Sequence, residues 1–228
     1  MASFTWGKSI DDAAPNGGNA YSNQYDFRTG RGLSTFDVRY RFVISPVWEL
    51  PFGKGKYWLT DGVASKIAGG WQLAALLQTQ TGTPLTATLS GNYSNTAETS
   101  SSIQRPNVVA GCNPNNGPKT PAQFFNTACF QAPVAANLPG ATYTFGDEGR
   151  DVIIAPGLTT LDLSLVRNFN VKEKAKLQFR FESFDSLNHP VFNTPNVIRD
   201  SSAFGTINST IAFGTPARQN QAALRLIF

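Results

Sequence analysis

The chain has 228 residues, 41% of them hydrophobic and 12% aromatic, yet only 15% charged, with 19 Lys plus Arg against 15 Asp plus Glu for a net charge of +4. The length suits one large domain or two small ones around a sizeable core, and Asn, Thr, Ser and Gln with 20 Gly and 14 Pro fill the charge deficit against about 25% charged residues in ordinary soluble domains. That mixture excludes a helical bundle, which would be rich in Ala, Glu, Lys and Leu, and a disordered tail, which would lack aromatics. Basic residues alternate with acidic or polar ones and form no run, so no nucleic-acid partner is expected. No stretch of about eighteen apolar residues marks a transmembrane helix, and Met1-Ala2-Ser3-Phe4-Thr5-Trp6 has neither the basic nor the apolar region of a signal peptide. These absences point to the cytoplasm, unless the membrane element is a β-barrel or Met1 is not the true start of the protein.

Period-two alternation, punctuated by Gly, Pro, Asn and Ser, predicts six strands. Residues 3–10 set Phe4 and Trp6 on one face. Residues 34–50 set Phe36, Val38, Tyr40, Phe42 and Ile44 against Asp37, Arg39 and Arg41, with Pro46 weakening the far end or marking a bulge. Residues 71–90 set Trp71, Leu73, Ala75 and Leu77 against Gln72, Ala74 and Gln78, and resume after Gly82-Thr83-Pro84 with Leu85, Ala87 and Leu89. Residues 159–170 are the clearest, with Leu161, Leu163, Leu165 and Phe169 opposite Asp162, Ser164 and Asn168. Residues 176–188 set Leu177, Phe179 and Phe181 against Gln178, Arg180 and Glu182, and a slip in the alternation at Ser183-Phe184 predicts a β-bulge. Residues 217–228 close the chain with Ala222, Leu224, Leu226 and Phe228 on one side and Gln221, Ala223 and Arg225 on the other.

The connections are 11–33, 51–70, 91–158, 171–175 and 189–216, which run long, moderate, long, short and long. The short one predicts a hairpin. An up-and-down outer-membrane barrel has long loops outside and short turns in the periplasm, and this parity fits it, with the twenty-residue 51–70 connection as its worst member. The expected fold class is therefore all-β, with antiparallel up-and-down strands. Alternation alone suits both a soluble sandwich and a barrel whose apolar face meets lipid. The chain end favours the barrel. A terminal Phe228 preceded by Leu226, Leu224 and Ala222 resembles the signal by which outer-membrane barrels engage the barrel-assembly machinery; the alternative is a last core strand that stops on Phe.

A series of motifs runs in order along nearly the whole chain. They are Phe4-Thr5-Trp6-Gly7-Lys8, Arg31-Gly32-Leu33-Ser34, Trp48-Glu49-Leu50-Pro51-Phe52-Gly53-Lys54-Gly55, Gly69-Gly70-Trp71-Gln72-Leu73 and Thr81-Gly82-Thr83-Pro84, then Phe124-Phe125-Asn126-Thr127-Ala128, Leu161-Asp162-Leu163-Ser164-Leu165, Phe179-Arg180-Phe181-Glu182 and Leu187-Asn188-His189-Pro190-Val191-Phe192. In combination they resemble the C-terminal part of a TonB-dependent outer-membrane receptor of the Oar-like kind, the group that often carries a carboxypeptidase-regulatory-like domain. The resemblance implies the closing section, about six strands, of a plugged barrel of about 22 strands. It implies residues 1–228 as one barrel section with a long extracellular loop at 91–158, and a plug, TonB box and remaining strands before Met1. The implied partners are outer-membrane lipid, the barrel-assembly machinery, the missing plug and strands, and the TonB complex acting through that plug; no cofactor is implied. The low charge is then explained, because the lipid-facing half of each strand bears none.

On the polar faces, Asp37, Arg39, Arg41, Asp162, Arg180, Glu182 and Arg225 are expected as lumen-facing charges, forming either a substrate-facing cluster or, preferably, a structural ladder between strands. Asp11-Asp12 with Asn16, Asn19 and Asp26 offer oxygen ligands for Ca²⁺ but lack EF-hand spacing, so a solvated loop is expected. The one His, His189, has no partner His and is taken as a turn or capping residue. Gly53-Lys54-Gly55-Lys56 lacks the Walker spacing and is expected as a turn. Cys112 and Cys129 lie in the long loop; an even count in an oxidising compartment predicts a disulfide contributing about 3 kcal/mol. No His, Cys and carboxylate set has catalytic spacing, and Glu182 and Asp185 fall on opposite faces, so no enzyme is expected. The leading expectation is a transport or receptor barrel for uptake or export. The alternative is a secreted β-sandwich module for carbohydrate binding or adhesion, using Trp48, Trp58 and Trp71 as stacking surfaces.

Overall fold

The computed structural model of the chain describes all residues except 13–22, 24, 92, 94–103, 135–137, 141–143, 173–174 and 212–216. The strands are β1 Ala2–Trp6, β2 Ile10–Asp11, β3 Gly32–Leu33, β4 Tyr40–Ile44, β5 Val47–Glu49, β6 Trp71–Gln80, β7 Pro84–Leu85, β8 Asn107–Val108, β9 Phe130–Gln131, β10 Ile153–Ile154, β11 Leu158–Lys172, β12 Ala175–Phe184 and β13 Gln219–Ile227. A short helix, α1, covers Gly62–Ala68.

One antiparallel sheet carries the architecture, in the order β1-β4-β6-β11-β12-β13, with β5 also on β6. Successive strands of this sheet lie side by side, with β4 and β5 following one another along the same edge of β6, so the sheet is an up-and-down meander. It is open, because β1 and β13 each keep one unpaired edge. Register aligns the apolar positions into rows across the strands: Leu73 pairs with Leu165, Leu165 with Phe181 and Phe181 with Ala222. A one-residue slip would turn every one of these side chains to the other face, so the shared apolar face is what specifies the pairing.

Four expectations about strand limits are corrected. Residues 34–39 are not strand: Asp37 N bonds Ser34 O at 2.8 Å in a turn, and pairing begins at Tyr40. Of the two readings of Pro46, the bulge falls, since Ile44 pairs with Leu77 and Val47 with Ala74 in one continuous register and Ala75 N still donates to Pro46 O at 3.1 Å, whereas the strand is interrupted there, β4 ending at Ile44 and β5 starting at Val47. Residues 84–90 do not resume the strand of β6. Gly82 passes so close to Ala155 that a Cβ there would lie 1.9 Å from its carbonyl oxygen, and β7 then pairs with β10 in a separate ribbon. No bulge occurs at Ser183-Phe184 either: the register of β12 with β13 runs through both residues, that with β11 is unbroken as far as Ser183, and the one shift lies at the hairpin, between Asn170 and Lys172.

The hydrophobic core lies outside this sheet. Connections 7–39, 81–157 and 185–218 leave the sheet at one end, and there Ala87, Phe125, Cys129, Phe130 and Ile153 form a closed cluster. Phe125, Phe130 and Phe204 meet edge to face with ring centres 5.0 to 5.8 Å apart, a geometry favoured by the ring quadrupoles. In the described residues of the seven strands of the large sheet, Ser183 alone is buried. The opposite end holds the 50–70 connection and the tight β11–β12 hairpin.

Candidate functional site

The apolar face of the large sheet is the first candidate surface. Register places Ala2, Phe4 and Trp6 of β1, Tyr40, Phe42 and Ile44 of β4, Trp48 of β5, and Trp71, Leu73, Ala75 and Leu77 of β6 on it. It continues through Leu161, Leu163, Leu165 and Phe169 of β11, Leu177, Phe179 and Phe181 of β12, and Ala222, Leu224 and Leu226 of β13. Among the described residues no second sheet covers this face, and Phe4, Trp6, Trp48, Leu224 and Leu226 all stand exposed. Its middle row runs Ala75, Leu163, Ser183 and Asn220, so two polar side chains interrupt it on β12 and β13. Trp6 and Tyr40 lie at the loop end, Trp48, Trp71 and Phe169 at the other, with Phe228 terminal and exposed. The ten residues of β6, at ~3.3 Å each and a tilt of ~40°, span roughly 25 Å, the height of the hydrocarbon-facing band of an outer-membrane barrel.

One charge breaks that face, and sequence reasoning missed it. Arg167 pairs with both Trp71 and Phe179, and its guanidinium lies 5.5 Å from the Trp71 ring centre and 4.3 Å from that of Phe169. It donates to the carbonyls of Lys66 and Ile67 at the C-terminus of α1, and Trp71 Nε1 donates to Ile67 O at 3.0 Å. The signal was available: Arg167 stands two residues after Leu165 and two before Phe169, in phase with the apolar set.

The opposite face is polar. It holds Arg41, Asp162, Arg180, Glu182 and Arg225, together with Gln72, Gln78, Asn168, Gln178 and Gln221. Glu182 accepts from Gln221 Nε2 at 2.6 Å and pairs with Arg180 at 3.4 Å along the same strand. Asp162 accepts from Asp185 N at 2.9 Å, which fixes the turn after β12, where Asp185 is buried with φ 47. The expected ladder is not assembled as one set. Arg41 lies between Thr5 and Gln80, and Asp37 and Arg39 precede β4. The buried Asp37 carboxylate accepts from Ser9 N at 2.6 Å, and Arg39 O accepts from Gly7 N at 3.2 Å.

The loop cap holds the buried ionic groups. Arg150 donates to the Asp11 carboxylate, Asp11 O and Leu33 O, tying β2 and β3 to the third connection. Gly32 allows this approach, since a Cβ there would lie 2.5 Å from Arg150 O. Glu148 Oε1 accepts from Ala87 N at 2.9 Å while Oε2 has no partner, and desolvation holds its carboxyl up at about 8. Desolvation also raises Asp151, against the hydrogen bond from Thr86. Cys112 and Cys129 are bonded, with Cα atoms 5.4 Å apart.

Other candidates resolve into structure. Asp11 and Asp26 are engaged by Arg150 and Arg28, Asn16 and Asn19 lie outside the described residues, and no group of three metal-ligating side chains occurs among the described ones. His189 N donates to Asp185 Oδ1 at 3.3 Å, and its side chain is exposed. Gly53-Lys54-Gly55-Lys56 is a turn in which Lys56 N bonds Gly53 O at 3.0 Å.

The family model described as an outer membrane beta barrel domain matches residues 1–221. Neither the curated proteins nor the solved structures hold a match to the chain. An uncovered apolar band with aromatic ends, a polar opposite face and loops gathered at one end are what this family requires physically. The chain belongs to the outer membrane β-barrel domain family, and its place is the bacterial outer membrane.

Proposed function

We propose that the chain is the closing section of a TonB-dependent transporter or receptor of the Oar-like group, supplying barrel wall and outer loops for uptake or export of a bulky substrate, and no catalysis. The observation that carries this reading is the separation of the hydrophobic core from the sheet: the loops keep their own core while the strands leave a predominantly apolar face open. A soluble carbohydrate-binding sandwich would cover that face with a second sheet. The open edges of β1 and β13 fit a wall continued by further strands, because unpaired backbone groups in hydrocarbon cost several kcal/mol each. The long-loop end faces outward, and Arg41, Arg180, Glu182 and Arg225 face the lumen. Transport is driven through a plug contacting the inner-membrane TonB complex.

Two observations test this. The native protein is expected to fractionate with outer membranes and to need detergent for release; recovery as a soluble monomer sinks the barrel reading. The coding DNA upstream of Met1 is expected to continue in frame into a plug domain, and a stop codon with a promoter there overturns the TonB-dependent assignment.

A further inference from the structure

The connection between β5 and β6 lies at the short-turn end yet spans some twenty residues, and it builds no core of its own. Tyr57, Trp58, Leu59, Val63 and Ile67 stand 90%, 58%, 49%, 73% and 66% exposed. Such a cluster is costly in water, and α1, with seven residues, is too short to hold together alone. Several contacts nevertheless fix it. Gly53 N donates to Trp58 O at 3.0 Å and Trp58 N to Pro51 O at 3.1 Å. A Cβ on Gly53 would come within 2.6 Å of Gly69 Cα, so the turn and the helix end touch backbone to backbone. Arg167 and Trp71 bind the last carbonyls of α1, which have no partner within the helix. Both side chains project from the apolar face, so the helix end is held on the hydrocarbon side of the wall, beside Trp71, Phe169 and Phe179. The charges of this connection and of the side chain that holds it are Lys54, Lys56, Lys66 and Arg167 against Glu49 and Asp61, with Lys56 bonded to Glu49 at 2.9 Å.

We infer that the turn at residues 53–59 and α1 form an interfacial anchor that docks on anionic phospholipid headgroups at the short-turn rim of the barrel. Tyr57, Trp58, Leu59, Val63 and Ile67 enter the boundary between headgroups and acyl chains, and Lys54 and Lys66 lie at the phosphates. The occupant is a lipid surface because the patch combines exposed aliphatic side chains, an amphipathic Trp and Tyr, and excess positive charge, and because it is pinned to the face that meets hydrocarbon. Arg167 thereby has a structural reason to stand on that face: its charge satisfies the helix end at the rim. The inference rests on the chain lying in an outer membrane and on the short-turn end facing the periplasm.

The test uses the native protein, extracted in detergent and reconstituted into vesicles of phosphatidylcholine alone or with phosphatidylglycerol. The Trp58 emission is taken as the difference between the native protein and Trp58→Phe, with phospholipids brominated near the headgroup as membrane quencher and acrylamide as aqueous quencher. The expected result is loss of Trp58 emission to the brominated lipid, greater with phosphatidylglycerol, and reversal of that dependence in Lys54→Glu/Lys66→Glu. Release of the helix in Arg167→Ala is expected to shift Trp58 toward acrylamide; where that variant fails to assemble, Val63→Ser/Ile67→Ser is expected to do the same. Quenching of Trp58 by acrylamide in both vesicle types overturns the inference, as does equal quenching by brominated lipid in both. Shielding from both quenchers overturns it too, since it indicates a protein partner on the patch. Detergent-free solubility of the native protein would instead defeat the barrel reading, so the two failures are distinguishable.

Discussion

Glu148 is held in the loop cap as a neutral acid, because burial penalises its charged form more than Ala87 N and nearby Arg105 favour it. Its carboxyl stays protonated in the folded cap up to about 8, against 4.5 for the free side chain. Between those values the folded form binds more protons than the unfolded one, so stability from this group is complete below about 4.5 and is lost as pH rises through about 8. Glu148→Gln keeps the acceptor for Ala87 N and cannot ionise. Its cap is expected to resist loop proteolysis equally across this range, whereas the native cap weakens from pH 5 to 9; an unchanged slope in the variant would refute the assignment. Arg150 poses the opposite case, a buried charge paired with Asp11 and Asp151 and bonded to two carbonyls. Arg150→Met is expected to destabilise the cap by about 2 kcal/mol, below the range for a fully buried pair because Asp11 keeps some solvent, with faster protease cutting near residues 32–33 as the readout. Neither role was legible in the sequence, where both residues stand in an unpatterned Gly-rich stretch and their hydrogen-bonding partners are over a hundred residues away or, for Ala87, about sixty.

At the scale of elements, pattern and structure agree along most of the alternating face, with Arg167, Ser183 and Asn220 as its polar members. β11 and β12 came through almost whole, because no Pro or Gly interrupts them and their register is continuous to the hairpin. Disagreement arises where backbone packing decides. Leu85, Ala87 and Leu89 alternate like a strand of the wall, but the contact of Gly82 with Ala155 sends them into the cap core, where Ala87 and Leu89 are fully buried. Period two states that one face is apolar and not what covers it. The disulfide closes a separation of 17 residues beneath Phe125 and Phe130, within the loop cap. Cys129→Ser is expected to cost about 3 kcal/mol and to shift the cap transition without releasing the strands from the membrane. Equal thermal unfolding of the cap with and without reductant would show that the bridge contributes nothing.

For the whole molecule, the decisive contrast lies between two faces one residue apart. Leu165 sits in the apolar row between Leu73 and Phe181, and Ser164 in the polar row between Ala74 and Glu182. Leu165→Arg is expected to destabilise the assembled barrel by about 1–2 kcal/mol, the cost of a cation on the lipid face one row in from the aromatic rim at Trp71. Ser164→Arg is expected to cost less, because its charge stands on the polar face beside Glu182, although the Ser164 Oγ is itself buried. Assembly yield and urea midpoints in lipid vesicles measure both, and similar losses for the two would mean that lipid does not cover the Leu165 face. The sequence by itself determined the long strands β6, β11, β12 and β13, their antiparallel up-and-down order and most of the side chains that share their faces, because those follow from local alternation and from short or long connections. Tertiary structure decided where the core lies, that Asp162 and Asp37 bind turn backbone, and that Arg167 caps a helix on the apolar face. Those depend on which distant carbonyls and amides meet a given side chain, and periodicity carries no information about such meetings.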